Sequence, residues 1–457
     1  MINDQSRRAF LQTTATLGLA GAAAPFVTTL AAIGEAAASV ATDYKALVCI
    51  FLYGGNDYAN TVTPYDQASY DAYAKIRPVL AYQRAALDAT LLTPTTALAG
   101  GRQYALGPAL APLLPVFNAG KMAVMLNVGT LVQPTTKAQY QTKSVSLPPK
   151  LFSHNDQQSY WQSSSPEGAL SGWGGRMGDL FQSGNGSSLL TCINAAGNAV
   201  FLAGKTAVQY AISTSGPISL SGNTSLFSSA TASTALKSLM TGGQANIFAN
   251  EHGKISKRSL DTGAQITTAL AAAPAFTTVY PTGNSLADQL KIVARMISMS
   301  SELGAKRQVF FVSLGGFDLH DNLVAQHPVQ LGKVATAMKA FYDHTVELGI
   351  SDKVTAFTGS DFGRTLVPNT DGSDHGWGSM HFVMGGAVKG KQFYGTAPAV
   401  ADNGPDDVGQ GRLLPTTSVD QYAATLATWF GVSNGELSTV LPNIGNYNPS
   451  SWNLGFV

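Results

Sequence analysis

The sequence predicts an α/β protein: a doubly wound, mostly parallel sheet flanked by helices, carrying a Ser/Thr/Gly-rich insertion. Three observations predict it. Apolar runs of strand length recur (KALVCIFLY from Lys45, KMAVMLNV from Lys121, QVFFVSL from Gln308, VTAF from Val354), and they are continuous, as strands covered on both faces require. Helical patterns alternate with these runs, which is the rhythm of parallel crossover connections. Three runs also end in glycine followed by an acid: Gly54-Gly55-Asn56-Asp57, Gly315-Gly316-Phe317-Asp318 and Gly359-Ser360-Asp361. In open α/β sheets the carboxyl ends of the strands are where ligands bind.

Taken in order, the chain opens on a leader. Ser6-Arg7-Arg8-Ala9-Phe10-Leu11-Gln12 is a twin-arginine stretch, followed by the weakly apolar TTATLGLAGAAAPFVTTLAAIG and the small-residue run EAAASVA. Residues 1–41 are expected to be a cleaved signal, cut near Ala38 or Ala41, and 42–457 a single α/β domain. The expected location is periplasmic or secreted, reached through the twin-arginine export machinery, with no stable membrane span after cleavage because no other stretch is long and apolar enough. A net charge of +1 on 457 residues gives no basic surface for nucleic acid. The two cysteines, Cys49 and Cys192, have no metal-binding spacing, and no disulfide between them is expected.

Lys45–Tyr53 reads as the first buried strand, with Asp57 delivered by the break behind it. Ala109–Phe117 is a Pro-punctuated helical segment and Lys121–Val128 a second strand. In Leu151-Phe152-Ser153-His154-Asn155-Asp156, Ser153 suits an N-cap, with Asp156 closing a capping box. The same hydroxyl at a helix N-terminus also suits a nucleophile facing an anion. Arg176, in GWGGR, could clamp an oxyanion through its planar fork. Residues 180–280, rich in Ser, Thr, Ala and Gly, read as an insertion or cap. Regular alternation resumes with a helix from Ser285, itself available as N-cap, then the strand ending at Leu314, a helix over Val329–Leu348, and the strand from Val354. His344 is expected to be a solvated helix residue. His381 to Ala387 is a last strand, and VDQYAATLATWFGV a terminal amphipathic helix.

The chemistry-bearing residues gather at the strand ends. Asp318 and His320, two apart in extended chain, point to the same side and can grip one ion. Gly359–His381 adds Asp361, Arg364, Asp371, Asp374 and His375 on a glycine-rich loop. Carboxylates and imidazoles drawn together on such backbone serve as metal ligands or as general acids and bases.

Six motifs, in order, resemble a twin-arginine-exported family of unknown function, the domain of unknown function fifteen-oh-one: FLYGGNDYANTVTPYD, GKMAVMLNVGT, LFSHNDQQSYWQ, GWGGRMGD, VSLGGFDLHDN and FTGSDFGRTLVPNTDGSDHGWGSMHFVMGGAVKG. That family is in turn similar to the alkaline phosphatase and sulfatase superfamily. The resemblance implies metal ligands on strand-end loops and a hydroxyl nucleophile at a helix N-terminus. Ser153 then stands in the nucleophile's place, with Thr61 as fallback. Asp318, His320 and His375 serve one metal; Asp57 and Asp361 serve a second. The superfamily has Asp-His where this chain has Asp361-Phe362, so either Asp374 or water replaces the missing imidazole, or one ion binds alone. The Asp318–His320 spacing is also shorter than in alkaline phosphatases.

The expected function is an exported hydrolase of phosphate or sulfate esters, using one or two divalent ions (zinc, manganese, calcium or magnesium) on a small-molecule or glycan ester. Ser153 attacks, Arg176 or Arg364 balances charge, and His154 or His375 protonates the leaving oxygen. The alternative is a non-catalytic exported binding protein that keeps the fold, a reading to which Phe362 lends support.

Overall fold

The computed structural model describes residue 41 and residues 43–457, apart from 221, 223 and 224. The expected leader lies outside the described residues. Asp43–Val457 form one compact unit, and among the described residues no helix is long and apolar enough to cross a membrane.

A ten-stranded sheet runs through this unit. In chain order the elements that build the core and the site are β1 (Lys45–Leu52), β2 (Met122–Gly129), α1 (His154–Ser163), α2 (Trp173–Phe181), β3 (Cys192–Asn194), β4 (Tyr210–Ser213), β5 (Gly216–Pro217), α3 (Ala230–Thr241) and α4 (Ile247–Ala271). They continue with α5 (Ser285–Ser298), β6 (Arg307–Leu314), α6 (Leu323–Glu347), β7 (Val354–Ser360), β8 (Arg364–Pro368), β9 (Ser373–His375), β10 (Ser379–Gly385), β11 (Gln392–Tyr394), β12 (Thr417–Ser418) and α7 (Val419–Phe430). The strand order is β11-β2-β10-β7-β1-β6-β3-β4-β5, with β12 also on β2. β1 pairs in parallel with both β6 and β7 along most of its length. Two strands run the other way: β10, antiparallel between β7 and β2, and the terminal β5. β8 and β9 form a separate two-stranded ribbon.

Alternation along β1 divides the interior. Ala46, Val48, Ile50 and Leu52 enter the core covered by α5 and α6, whereas Leu47, Cys49 and Phe51 enter the one covered by α2 and α7. Each fully buried Leu, Ile or Phe contributes roughly 1.5–3 kcal/mol, so this strand, apolar on both faces, is stable only in the centre of the sheet. Cys49 and Cys192 are both free and buried. The 180–280 stretch starts inside the architecture: β3 pairs with β6 and β4 with β3, extending the sheet before the helices α3 and α4 begin.

Several local expectations change. Ser153 is the N-cap of α1, but its side chain makes no capping bond; its hydroxyl donates to Asp156 Oδ2 instead (2.9 Å). Asn284, not Ser285, caps α5, accepting from the N–H groups of Leu286 and Ala287. α6 begins at Leu323, ahead of Pro328, and His344 is buried against Tyr280 rather than solvated.

β1, β2, β6 and β7 all present their carboxyl ends at one edge. The loops there are in close contact: a Cβ on Gly54 would lie 2.4 Å from the Asp318 backbone nitrogen, and Gly54 has φ +115°. Only glycine lets the loop after β1 lie against the loop after β6.

Candidate metal and active site

Three imidazoles converge on one carboxylate at this edge. Asp318, just beyond β6, has its Oδ1 3.0 Å from His320 Nε2 and 3.2 Å from His375 Nε2, and its Oδ2 3.3 Å from His154 Nε2. The other nitrogen of each ring is already held. His154 Nδ1 lies 2.6 Å from Asp361 Oδ2, His375 Nδ1 2.7 Å from the Phe152 carbonyl, and His320 Nδ1 3.1 Å from Asp374 Oδ1. An oxygen at Nδ1 keeps the proton there and leaves the Nε2 lone pair facing inward, the arrangement that orients metal-binding histidines.

The donor set fits a cation. Ligand atoms from His154, Asp318 and His375 all lie within 4.8 Å of one another. His320 Nε2 and His375 Nε2 stand 3.0 Å apart, close to the roughly 3.3 Å that separates ligands about 2.0–2.1 Å from a tetrahedral zinc. Two lone-pair nitrogens at that distance repel unless a proton or a metal lies between them. His154 Nε2 is buried without a hydrogen-bond partner, and so is Asp361 Oδ1.

Local backbone sets these directions. Phe152 has φ +72°, a left-handed conformation that is costly for an aromatic residue, and it aims the Phe152 carbonyl at His375. The Phe362 ring packs against two of the imidazoles, with centroids 4.9 Å from His154 and 4.8 Å from His375. It therefore walls the cluster beside both rings. Asp361 is fully buried; its Oδ2 accepts from Gly54 N and from Gln158 Nε2 as well as bonding His154.

Charge is distributed unevenly. Partial burial pushes the Asp318 carboxyl up, but the bond from Arg364 Nη1 (2.5 Å) and the guanidinium charge outweigh it and hold the group below the usual carboxylate range. The Asp361 bond raises His154 above an ordinary imidazole against the opposing effect of burial, while burial lowers His375.

Not every residue anticipated from sequence joins the cluster. Asp57 turns away: both its oxygens are engaged by the buried Arg77 guanidinium, and it caps the short helix that follows. Its carboxylate is neutralised and is not open to an ion. Thr61 donates to the Asp57 carbonyl and bonds the Asn56 side chain, so its hydroxyl is committed. Arg176 bonds the carbonyls of Val440, Ser171 and Ser163 and is lowered to about 10 by burial; it ties α1 and α2 to the C-terminal segment. Arg364, fully buried, bonds the Gly54 and Ser373 carbonyls besides Asp318. Neither arginine presents a free fork.

Three participants were not anticipated from sequence. Gln158 follows His154 by one helical turn, a spacing that could have linked both to one ligand. Arg77 stands in no motif. Arg412 donates through Nε to the His375 carbonyl (2.9 Å) and stacks its guanidinium 4.5 Å from the centre of the Phe152 ring.

The family described as "Protein of unknown function (DUF1501)" matches residues 44–441. The chain belongs to this family. The match spans every strand and loop of the cluster. No curated protein matches the chain. Similar solved structures include the lipoteichoic acid synthase LtaP from Listeria monocytogenes (9% identity, 88% of this chain and 76% of that one, TM-score 0.33). Ps i-CgsB in complex with a neocarrahexaose matches at 11% identity over 89% and 78%, TM-score 0.32. A Bacteroides thetaiotaomicron protein (BT33494S-sulf), described with the metabolism of multiple glycosaminoglycans, matches at 10% over 86% and 74%, TM-score 0.35. At those scores the likeness carries no argument about chemistry, which rests on the cluster itself.

Proposed function

We propose that the protein is an exported, metal-dependent hydrolase of phosphate or sulfate esters working with one divalent ion. The observation that carries the reading is the convergence of the His154, His320 and His375 Nε2 atoms on Asp318, each ring fixed by an oxygen at Nδ1. Those four residues would hold the ion. Three imidazoles and one carboxylate suit zinc or manganese better than magnesium or calcium, which prefer all-oxygen shells. The commitment of Asp57 to Arg77 leaves a second ion without its carboxylate, which favours the one-ion alternative.

When bound, the ion supplies Lewis-acid polarisation of the ester oxygen. The remaining work falls to the chain. Ser153 stands beside His154 at the start of α1, where the free N–H groups of the first turn favour an incoming anion. Its hydroxyl points its proton at Asp156 Oδ2, a buried carboxylate placed to accept it as the serine oxygen bonds to phosphorus or sulfur and the bond to the ester's leaving oxygen breaks; water then releases the group from Ser153. Asp361, Gln158 and Phe362 keep the His154 ring in place, and Arg364 offsets the Asp318 charge. Residues 1–41, with their twin-arginine pattern, support export to the periplasm or beyond.

The test is elemental analysis of the mature protein purified without chelators or a histidine tag, followed by turnover of aryl phosphates and aryl sulfates. Near-stoichiometric zinc or manganese with Ser153-dependent hydrolysis supports the reading; a folded protein that cannot be loaded sinks it. The burial of Arg176 and Arg364 away from any free oxyanion position favours a second reading, a protein that binds an ion and a glycan without turnover. Metal binding with no Ser153-dependent hydrolysis of either ester class would support that one.

A further inference from the structure

We infer that Arg412 is the oxyanion clamp of this site, receiving the non-bridging oxygens of a tetrahedral phosphate or sulfate group. The inference rests on the metallohydrolase reading and adds to it a residue that no sequence motif marks.

An anionic ester placed beside the Asp318 carboxylate needs a cation with free donors, and the arginines singled out by sequence do not offer one. Arg176 is spent on carbonyls at the C-terminal segment, and Arg364 on Gly54, Ser373 and Asp318. Arg412 differs. It uses Nε on the His375 carbonyl, and among the described residues its two terminal nitrogens meet no hydrogen-bond partner. The side chain is partly exposed, so those donors reach solvent.

Its position is fixed from both sides of the cluster. The guanidinium lies on the Phe152 ring, next in sequence to Ser153, and its Nε holds the residue whose ring faces Asp318. Phe152 itself bonds His375 through its carbonyl, so ring, carbonyl and guanidinium form one connected unit. A stacked arginine with its fork free is the preferred receptor for two oxygens of a phosphate or sulfate, because the planar donors match their spacing.

The loop beneath is tightly hydrogen-bonded. Buried Asp407 accepts from the N–H groups of Asn403, Gly409 and Gly411. Gly409, Gln410 and Gly411 all have positive φ, and a Cβ on Gly411 would lie 2.8 Å from Leu366 Cβ and Val367 N. The Leu366 N–H also donates to the Gly411 carbonyl. The clamp is therefore organised before any ligand arrives, which reduces the ordering cost of binding.

The experiment titrates inorganic phosphate, then sulfate, into metal-loaded protein by calorimetry, with metal content and thermal midpoint recorded for each variant. Wild type is expected to bind at least one anion. Arg412→Ala and Arg412→Gln should weaken it by about tenfold or more at unchanged metal content. Arg412→Lys, which keeps the charge but not the fork, should fall between. The anion held more tightly names the ester class, and with that ester Arg412→Gln should raise KM more than it lowers kcat. Wild-type affinity retained in both Arg412→Ala and Arg412→Gln, at unchanged metal content, overturns the clamp and leaves the hydrolase reading standing. Metal-loaded wild type that binds neither anion overturns both. If Arg412→Ala does not fold, the Arg412→Gln and Arg412→Lys comparison decides alone.

Discussion

At the scale of single residues, the cluster divides carboxylates into those that face the imidazole lone pairs and those that hold the rings from behind. Asp318 meets all three Nε2 atoms, while Asp361 grips His154 and Asp374 grips His320 through Nδ1. Their substitutions should therefore differ in degree. Asp318→Ala is expected to lose the ion altogether with the fold retained. Asp361→Ala should bind it 10–100-fold more weakly, the usual cost of removing an outer partner. Metal titration with a competing chelator measures both, and equal losses would contradict the assignment. A different residue-scale prediction concerns Arg77 and Asp57, a buried ion pair outside the imidazole cluster. Removing one partner leaves the other charge buried and alone, so Arg77→Met should cost about 3–5 kcal/mol of unfolding free energy in urea. The Arg77→Met, Asp57→Leu double variant should recover most of it.

At the scale of elements, glycines and caps decide how closely the loops approach. Gly411 carries φ +74° and touches β8, so Gly411→Ala meets both backbone strain and a close contact. A loss on the order of 2 kcal/mol is expected, read as a lower denaturation midpoint. A weaker phosphate affinity should accompany it, because the same loop carries Arg412. Much of this level was legible in the sequence. The strands ending at Leu52, Leu314 and Ser360 were marked by mostly apolar runs broken by glycine, since a strand covered on both faces is predominantly apolar. Asn284 was missed because Ser285 is an equally good cap by type, and the choice depends on which backbone turns first. His344 was misplaced because its apolar cover, Phe276 and Tyr280, comes from a segment distant in sequence.

For the whole molecule, buried titratable groups set the response to pH. Burial lowers His381 to about 3 and His327 to about 4, below their unfolded value near 6.5, so their contribution is complete above pH 6.5 and is lost as pH falls through the folded values. Burial raises Asp420, at the start of α7, to about 6 from 3.8; its contribution is complete below 3.8 and is lost as pH rises through 6. Between pH 4 and 6 the effects oppose, and the two histidine shifts together exceed the one aspartate shift. Urea midpoints should therefore climb from pH 4 to 6.5. His381→Gln should flatten that climb, and Asp420→Asn should gain stability relative to wild type above pH 6. A climb unchanged in His381→Gln would place the acid sensitivity elsewhere.

The sequence by itself determined the α/β class, the strands whose ends carry acids, and the residue types that meet at that edge, because apolar periodicity and glycine breaks are local properties of the chain. Only the tertiary structure decided which side chains face one another. Asp57 was indistinguishable in sequence from Asp318 and Asp361, each an acid beyond a glycine-rich break at a strand end. Their fates diverge because a guanidinium from Arg77 reaches one, while imidazoles from the start of α1, the loop after β6 and β9 reach the others. Arg412 likewise became visible only when the fold brought His375 from β9 and Phe152 from the segment before α1 against its side chain. Electrostatic partners are chosen by distance in space, and that distance is set by the packing of the sheet and its loops rather than by spacing along the chain.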